Sequence, residues 1–199
     1  MERSQLSLIN FDSTKKVNYA NIIIFAAFAQ ICAIACSHSP NSASDTESSD
    51  ALHDAIISLS NEVEAEEAEA ISALLISSTK DLANAYRMTS PPRYHNLLVH
   101  LKLRDRGLCC HWAEDLRLRI DNLHPQTLSI DWLVTKHGKL LEHNSIVVFA
   151  ANSTWQQGIV FDPWRASGQP YWVTVVDDKY LWRQHPLSGN WEHLHCIQQ

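Results

Sequence analysis

The spacing of apolar residues changes about two-thirds of the way along the chain, at Pro125. Before Pro125, apolar residues recur every three or four positions, which is typical of amphipathic helices. This spacing predicts a helix over 52–88, a helical or extended piece over 95–104, and a helix that begins at Cys109 and ends near residue 123.

After Pro125, apolar and polar residues alternate, as they do in half-buried strands. Lys136 to Lys139, with Gly138 among them, are expected to form a turn between the first two strands. The predicted strands cover 128–135, 140–151, 158–162, 171–176 and 180–182. Helices followed by an antiparallel sheet predict an α+β fold.

The first 50 residues differ in character from the rest of the chain. Lys15 and Lys16 precede an uncharged stretch, Ile22 to Ala35, that is shorter than the about 20 residues a membrane helix needs. Its end, Ala33-Ile34-Ala35-Cys36, resembles the lipobox of bacterial lipoproteins, which implies a signal peptide over 1–35 and lipidation of Cys36. A cleaved soluble signal and an uncleaved anchor are the alternatives.

Composition separates a tether from a folded domain. Residues 36–50 are rich in Ser and lack large apolar side chains, so we expect a flexible tether, followed by a globular domain over 51–199. The formal charge of −6 comes from the leading segment, because residues 36–79 hold nine acidic residues and no Lys or Arg. Residues 80–199 hold 13 basic and 11 acidic residues without a basic stripe, so we expect no nucleic-acid partner.

Cys109 and Cys110 lie at the predicted start of a helix. Unpaired backbone N–H groups and the helix dipole favour a thiolate there, and the same N–H groups can hold a developing oxyanion. Either cysteine is therefore a candidate nucleophile. The alternative is that both are small buried hydrophobic residues.

A catalytic thiol needs an imidazole to accept its proton, and the imidazole needs an acceptor that fixes its orientation. His143 lies in a strand whose apolar face does not otherwise call for it, and Asp162 ends the next predicted strand. Because Pro163 follows, strand pairing should stop there and leave the carboxylate outside the ladder. Antiparallel neighbours would bring His143 and Asp162 within reach of each other.

The order of these residues resembles the transglutaminase-like superfamily, whose members are relatives of papain-fold cysteine proteases. Its Gly-x-Cys-x-x-x-Ala motif is matched by Gly107, Cys109 and Ala113, and its His and Asp-Pro positions by His143 and Asp162. The resemblance implies a transglutaminase-like fold in which Cys109 is the nucleophile, His143 the base and Asp162 the orienting residue.

The activity implied by the resemblance is that of a cysteine peptidase or acyl transferase without a cofactor. Its substrates would be peptide or protein amides in the cell envelope, and hydrolysis and cross-linking to an amine both stay open. Since Ser37 rather than Asp follows Cys36, the lipobox implies the periplasmic face of the outer membrane, and the periplasm is the alternative location. The alternative function is a catalytically inactive envelope scaffold or binding lipoprotein.

The cysteine count bears on the same site. Export would remove Cys32, and lipidation would use Cys36, which leaves three thiols in an oxidising compartment. A disulfide between Cys110 and Cys196 with Cys109 free would account for all three. The alternatives are that all three are reduced or that the disulfide includes Cys109.

A metal site is the competing use of these residues, because cysteine and histidine are zinc ligands. Adjacent cysteines are awkward chelators, however, and no Cys-x-x-Cys or His-x-x-x-His spacing occurs. We therefore predict no metal site. The residues considered are Cys109, Cys110, His111, His193, His195 and Cys196.

Overall fold

The computed structural model describes residues 45–188 and Cys196, all within one compact unit. The predicted signal peptide, Cys36 and residues 37–44 of the predicted tether lie outside the described residues. Among the helices that the structure describes, none combines the length and the apolar character that a membrane crossing requires.

The described chain has α+β architecture, with four α-helices before a five-stranded antiparallel sheet, which confirms the predicted class and order. A single 3₁₀ turn, Trp155–Gln157, lies between the second and third strands. The helices are α1 Asp45–Ile57, α2 Ala65–Ala85, α3 Pro92–His100 and α4 Cys109–Asp121. The strands are β1 Leu128–Thr135, β2 His143–Ala150, β3 Ile159–Phe161, β4 Trp172–Thr174 and β5 Arg183–Gln184.

The helix expected over 52–88 is two helices, α1 and α2, separated by residues 58–64. Serine side chains in this break satisfy the local backbone: the Ser58 hydroxyl donates to Ala55 O at 2.7 Å, and Ser60 Oγ accepts the Glu62 N–H at 3.2 Å. Such bonds compete with helical ones, which explains the interruption.

Residues 45–50 were expected in the flexible tether, whereas in the structure they form the first turns of α1. Asp45 and Glu47 complement the positive end of the helix dipole, and Lys80 of α2 pairs with Asp45 at 3.1 Å. Leu52 and Ile56 on the same helix are fully buried. Packing of these side chains stabilises the helix, although the Ser-rich composition of its first turns does not favour one.

The strand order is β4-β3-β2-β1-β5, and each neighbouring pair is antiparallel. The second strand begins at His143 rather than at residue 140, because the turn after β1 extends further than expected and Glu142 accepts the Gly138 N–H at 2.6 Å. The last strand lies at 183–184 rather than 180–182, since Tyr180 and Trp182 pack against His143 instead.

The main core lies between the helices and one face of the sheet. Each large apolar side chain that is fully buried contributes roughly 1.5–3 kcal/mol relative to exposure. The largest fully buried side chains of the main core are Trp112, Phe161, Leu52, Ile56, Ile71, Leu75, Leu116, Ile120 and Ile146. A second, smaller cluster contains Leu133, Val147, Val160 and Trp182.

Candidate functional site

Cys109 is the first residue of α4, and its side chain is nearly enclosed, with 8% of the residue exposed. The chain enters the helix through Gly107, whose φ of +118° lies in a region that other residues rarely adopt. A Cβ at Gly107 would lie 2.1 Å from His95 Nε2, so the close approach of these two residues also requires glycine.

His95 fixes the loop that leads to Cys109. It is fully buried, its Nε2–H donates to Arg106 O at 3.0 Å, and its Nδ1 accepts the Thr89 N–H at 3.3 Å. Both ring nitrogens are therefore used in holding the backbone. Sequence analysis did not identify His95, because no motif connects it with Gly107.

His111, two residues after Cys109, holds the same loop from the other side. Its Nδ1 accepts the N–H groups of Gly107 and Leu108 at 3.0 and 3.2 Å. Burial, followed by the charge of Arg106, lowers the pKa of His111 to about 4. The ring is therefore neutral near pH 7 and carries its proton on Nε2.

Cys110 and Cys196 are joined by a disulfide with a Cα–Cα distance of 5.4 Å, and Cys109 is the free cysteine among the residues that the structure describes. The potential metal ligands of Cys110, His111 and Cys196 lie within 4.8 Å of one another. They do not fit a metal ion, because the sulfurs are bonded to each other and His111 Nε2 carries a proton. His111 could bind a metal ion only if Nδ1 no longer accepted the backbone N–H groups of Gly107 and Leu108.

His143 and Asp162 meet through the register of β2 and β3. Ile146 pairs with Phe161, so Asp162 comes opposite Ser145, and His143 is its diagonal neighbour two residues away. His143 Nε2 lies 2.6 Å from Asp162 Oδ2, and the two residues are only 4% and 2% exposed. The carboxylate therefore fixes the ring, as the sequence-based hypothesis requires.

Cys109 lies beside the same imidazole. Burial lowers the pKa of His143, but the charge and hydrogen bond of Asp162, together with the hydrogen bond and charge of Cys109, outweigh it and raise the pKa to about 9. Apart from its interaction with the Cys109 thiol, the buried His143 Nδ1 has no hydrogen-bond partner in the described chain. Since Asp162 holds Nε2, Nδ1 is the nitrogen left to exchange a proton with the thiol.

Three aromatic rings cover His143. The ring centroids of Trp164, Tyr180 and Trp182 lie 4.7, 5.1 and 5.5 Å from the imidazole centroid. Trp164 is tied to α3, because its Nε1–H donates to the amide oxygen of Asn96 at 3.0 Å. These rings keep water from the imidazole, which strengthens its interaction with Asp162.

Arg165 contacts the same Asp162 oxygen that binds His143. Its Nε and Nη2 lie 3.1 and 3.0 Å from Asp162 Oδ2, and the same guanidinium pairs with Asp178. Sequence analysis missed Arg165 and Asp178, as well as the contacts of Tyr180 and Trp182 with the ring. Arg165 and Asp178 were missed because a buried charged pair leaves no periodic pattern in the sequence. The contacts of Tyr180 and Trp182 were missed because residues 180–182 were expected to form a strand.

Comparisons of the chain with known protein families, curated proteins and solved structures gave no match.

Proposed function

We propose that this protein is a cysteine-dependent amide hydrolase or acyl transferase with Cys109 as nucleophile, His143 as proton carrier and Asp162 as the residue that orients His143. The observation that supports it is the succession of the three side chains, with Nε2 bonded to Asp162 and Nδ1 left for the thiol. This arrangement suits a thiolate and an imidazolium formed by transfer of one proton.

In the proposed first step, the Cys109 thiolate attacks an amide carbonyl carbon, a C–S bond forms, and the carbonyl π electrons move to oxygen. The first N–H groups of α4 have no acceptor within the helix, so they can donate to this oxyanion. When the intermediate collapses, the C–N bond breaks and His143 Nδ1–H gives its proton to the leaving amine. A thioester and a neutral imidazole remain.

In the second step, neutral His143 accepts a proton from water as the water oxygen attacks the thioester. The C–S bond then breaks, the acid leaves, and the thiolate–imidazolium pair is restored. An amine that replaces water gives cross-linking instead.

The substrate class we propose is a peptide or protein amide in the cell envelope. The motif order Gly107, Cys109, Ala113, His143 and Asp162 supports a transglutaminase-like fold for this α+β domain. The lipobox-like end of the leading segment supports a lipid anchor at Cys36 and a position at the periplasmic face of the outer membrane.

A second candidate function is an inactive scaffold of the same fold. It is favoured by one observation: Cys109 and His143 are 8% and 4% exposed, so a substrate reaches the thiol only if the aromatic cover moves. The two functions differ in how the thiol of the folded protein reacts.

The test is alkylation of Cys109 in the full chain with its disulfide intact, followed by mass spectrometry. The enzyme hypothesis expects labelling of folded wild-type protein at pH 7 faster than labelling of the same thiol in denaturant. Cys109→Ser should lose the label and the amide cleavage, and His143→Ala should lose the turnover. Asp162→Asn should keep weak activity, reduced by about 10²-fold or more.

An unreactive Cys109 in folded protein would support the scaffold. Unchanged turnover in His143→Ala would remove the proposed proton carrier.

A further inference from the structure

A buried series of charged groups continues beyond the Asp162 carboxylate. The Arg165 guanidinium lies between two carboxylates: Asp162 Oδ2, at 3.0 Å from Nη2, and Asp178, whose two oxygens accept Nη1–H and Nη2–H at 2.9 and 2.8 Å. The side chains of Arg165, Asp162 and Asp178 are 9%, 2% and 1% exposed. Little water is present to screen these charges.

The Arg165 geometry favours Asp178 over Asp162. The pair with Asp178 is bidentate, with two parallel N–H···O bonds, which is the strongest arrangement of these two groups. The Arg165 guanidinium reaches Asp162 through Oδ2 alone, which also accepts His143 Nε2–H at 2.6 Å, while the Arg165 backbone N–H donates to Oδ1 at 3.3 Å. His143 and Arg165 therefore share Asp162 Oδ2.

Counting charges shows what Asp178 adds. One guanidinium and two carboxylates carry a net charge of −1, which the imidazolium of His143 neutralises. Without Asp178, Arg165 would neutralise Asp162, and only the Cys109 thiolate would remain to balance a protonated ring in this enclosed site.

We propose that Asp178 is a positioning residue: by occupying Arg165, it leaves the negative charge of Asp162 available to His143 and so favours the imidazolium–thiolate pair. The effect of Asp178 on catalysis rests on the proposed function. The contacts among the side chains of His143, Asp162, Arg165 and Asp178 do not depend on that function.

Asp178 also holds the aromatic cover. Its Oδ2 accepts the Trp182 Nε1–H at 2.8 Å, and its Oδ1 accepts the Tyr180 backbone N–H at 3.2 Å. Burial raises the pKa of the Asp178 carboxyl, but the bonds from Arg165 and Trp182 outweigh it and lower the pKa below its usual value. Asp178 is therefore ionised at neutral pH, as the charge count requires.

The remaining charged and titratable groups around His143 come from several elements. Cys109 of α4 faces the ring itself, and Tyr171 and Tyr180 lie on the Arg165 guanidinium, each 4.6 Å from its central carbon. Lys179 lies 5.4 Å from the Tyr180 ring centroid, and the charge of Arg93 from α3 also acts on Tyr180. Both cations are present in all variants proposed below.

The experiment compares Asp178→Asn with Asp177→Asn in the full chain. Asp177 is exposed and is bound through its side chain to Thr174 at 2.6 Å, so its replacement removes the same charge one residue away without touching Arg165. The ¹⁵N chemical shifts of His143 are followed against pH, and the rate of Cys109 alkylation is measured at each pH.

In Asp178→Asn, His143 should lose its proton at a lower pH than in the wild type, by about one pH unit or more. The alkylation rate at pH 7 should fall about fivefold or more, because less thiolate is present. Asp177→Asn should move neither quantity appreciably. If Asp178 acted only by holding the aromatic cover, a variant that lacks both Asp178 and Arg165 would keep the lowered midpoint.

The double variant Asp178→Asn with Arg165→Gln separates charge from packing. It removes both members of the ion pair and leaves Asp162 alone to face His143, so the midpoint should return to the wild-type pH. It leaves no unpaired buried guanidinium, and therefore tests the proposal even if Asp178→Asn does not fold.

An unchanged midpoint in folded Asp178→Asn, or an equal shift in Asp177→Asn, would overturn the proposal. A double variant whose midpoint lies about one unit or more below that of the wild type would do the same. Failure of the proposed function gives a different result, because an unreactive wild-type thiol leaves the His143 titration and its dependence on Asp178 measurable.

Discussion

His143 Nε2 and Asp162 Oδ2 are 2.6 Å apart in a part of the protein from which water is nearly excluded. A bond of this kind between a carboxylate and an imidazole favours the protonated ring and fixes which nitrogen remains for other chemistry. The same bond therefore links stability, pH dependence and the proposed catalysis.

The first prediction concerns stability in alkaline solution. The pKa of His143 is raised from 6.5 to about 9 in the folded protein, with Asp162 and Cys109 outweighing the effect of burial. The folded state holds this proton more tightly than the unfolded state, so the stabilisation is complete below pH 6.5 and is lost as pH rises through 9. Calorimetric melting temperatures should fall across this interval.

The control for this prediction is His143→Gln, which cannot titrate there. Its melting temperature should vary less between pH 6.5 and pH 9 than that of the wild type. If the melting temperatures of the two proteins fall equally with pH, His143 does not bind its proton more tightly in the folded state than in the unfolded state.

The second prediction concerns acid. The pKa of His111 is lowered to about 4, because burial and Arg106 disfavour the charged ring. The unfolded chain binds this proton more readily, so His111 should reduce stability as pH falls from 6.5 towards 4, the opposite direction from His143. Urea unfolding at several pH values measures the slope.

His111→Asn provides the comparison, since an amide oxygen can still accept a backbone N–H but does not titrate. The variant should show a weaker loss of stability between pH 6.5 and pH 4 than the wild type. A loss as steep as in the wild type would assign the acid sensitivity to other groups.

The sequence predicts the main parts of this fold because its periodicity is strong on both sides of Pro125. The start of α4 at Cys109 and the pairing of β1 with β2 follow from local spacing alone. The break between α1 and α2 was missed because Ser58 and Ser60 act through hydrogen bonds that leave no mark on hydrophobic spacing.

The candidate site was predictable only in part. Cys109, His143 and Asp162 could be chosen from their order along the chain. The structure places His143 against Asp162 through the register of β2 and β3, and Cys109, at the start of α4, beside the same ring. Arg165 and Asp178 could not, because a salt bridge between residues 13 positions apart, on either side of β4, has no characteristic spacing. Such contacts depend on how the loop returns to the sheet.

The third prediction tests the approach to Cys109. Gly107→Ala places a Cβ 2.1 Å from His95 Nε2 and also imposes a φ of +118° on a residue with a side chain. The variant should lose more than about 3 kcal/mol of unfolding free energy, because backbone strain and the clash act together. Denaturant unfolding followed by tryptophan fluorescence measures the loss.

Gly138→Ala is the matched control, because Gly138 also has a positive φ, +71°, but no atom within 4 Å of the added Cβ. Gly138→Ala should lose only about 1–2 kcal/mol of unfolding free energy. Equal losses in the two variants would mean that contact with His95 does not constrain residue 107.

The fourth prediction separates the adjacent cysteines by their roles. The Cys110–Cys196 disulfide closes a loop between residues 86 positions apart, so its loss should raise the entropy of the unfolded chain. Cys110→Ser and Cys196→Ser should each lower the unfolding free energy by about 2–5 kcal/mol. Cys109→Ser should lower it much less, because Cys109 is the free cysteine of the described residues and its replacement breaks no disulfide.

The control for the fourth prediction is wild-type protein in excess reductant, which should unfold at the same denaturant concentration as the two disulfide variants. Cys109 should also remain open to alkylation in folded Cys110→Ser, since Gly107, His95 and His111 position it independently of the disulfide. If reduction leaves the midpoint of unfolding unchanged, the disulfide does not support this domain. If Cys109→Ser destabilises as much as Cys110→Ser, the thiol is primarily part of the core, and its proposed chemistry loses its main structural argument.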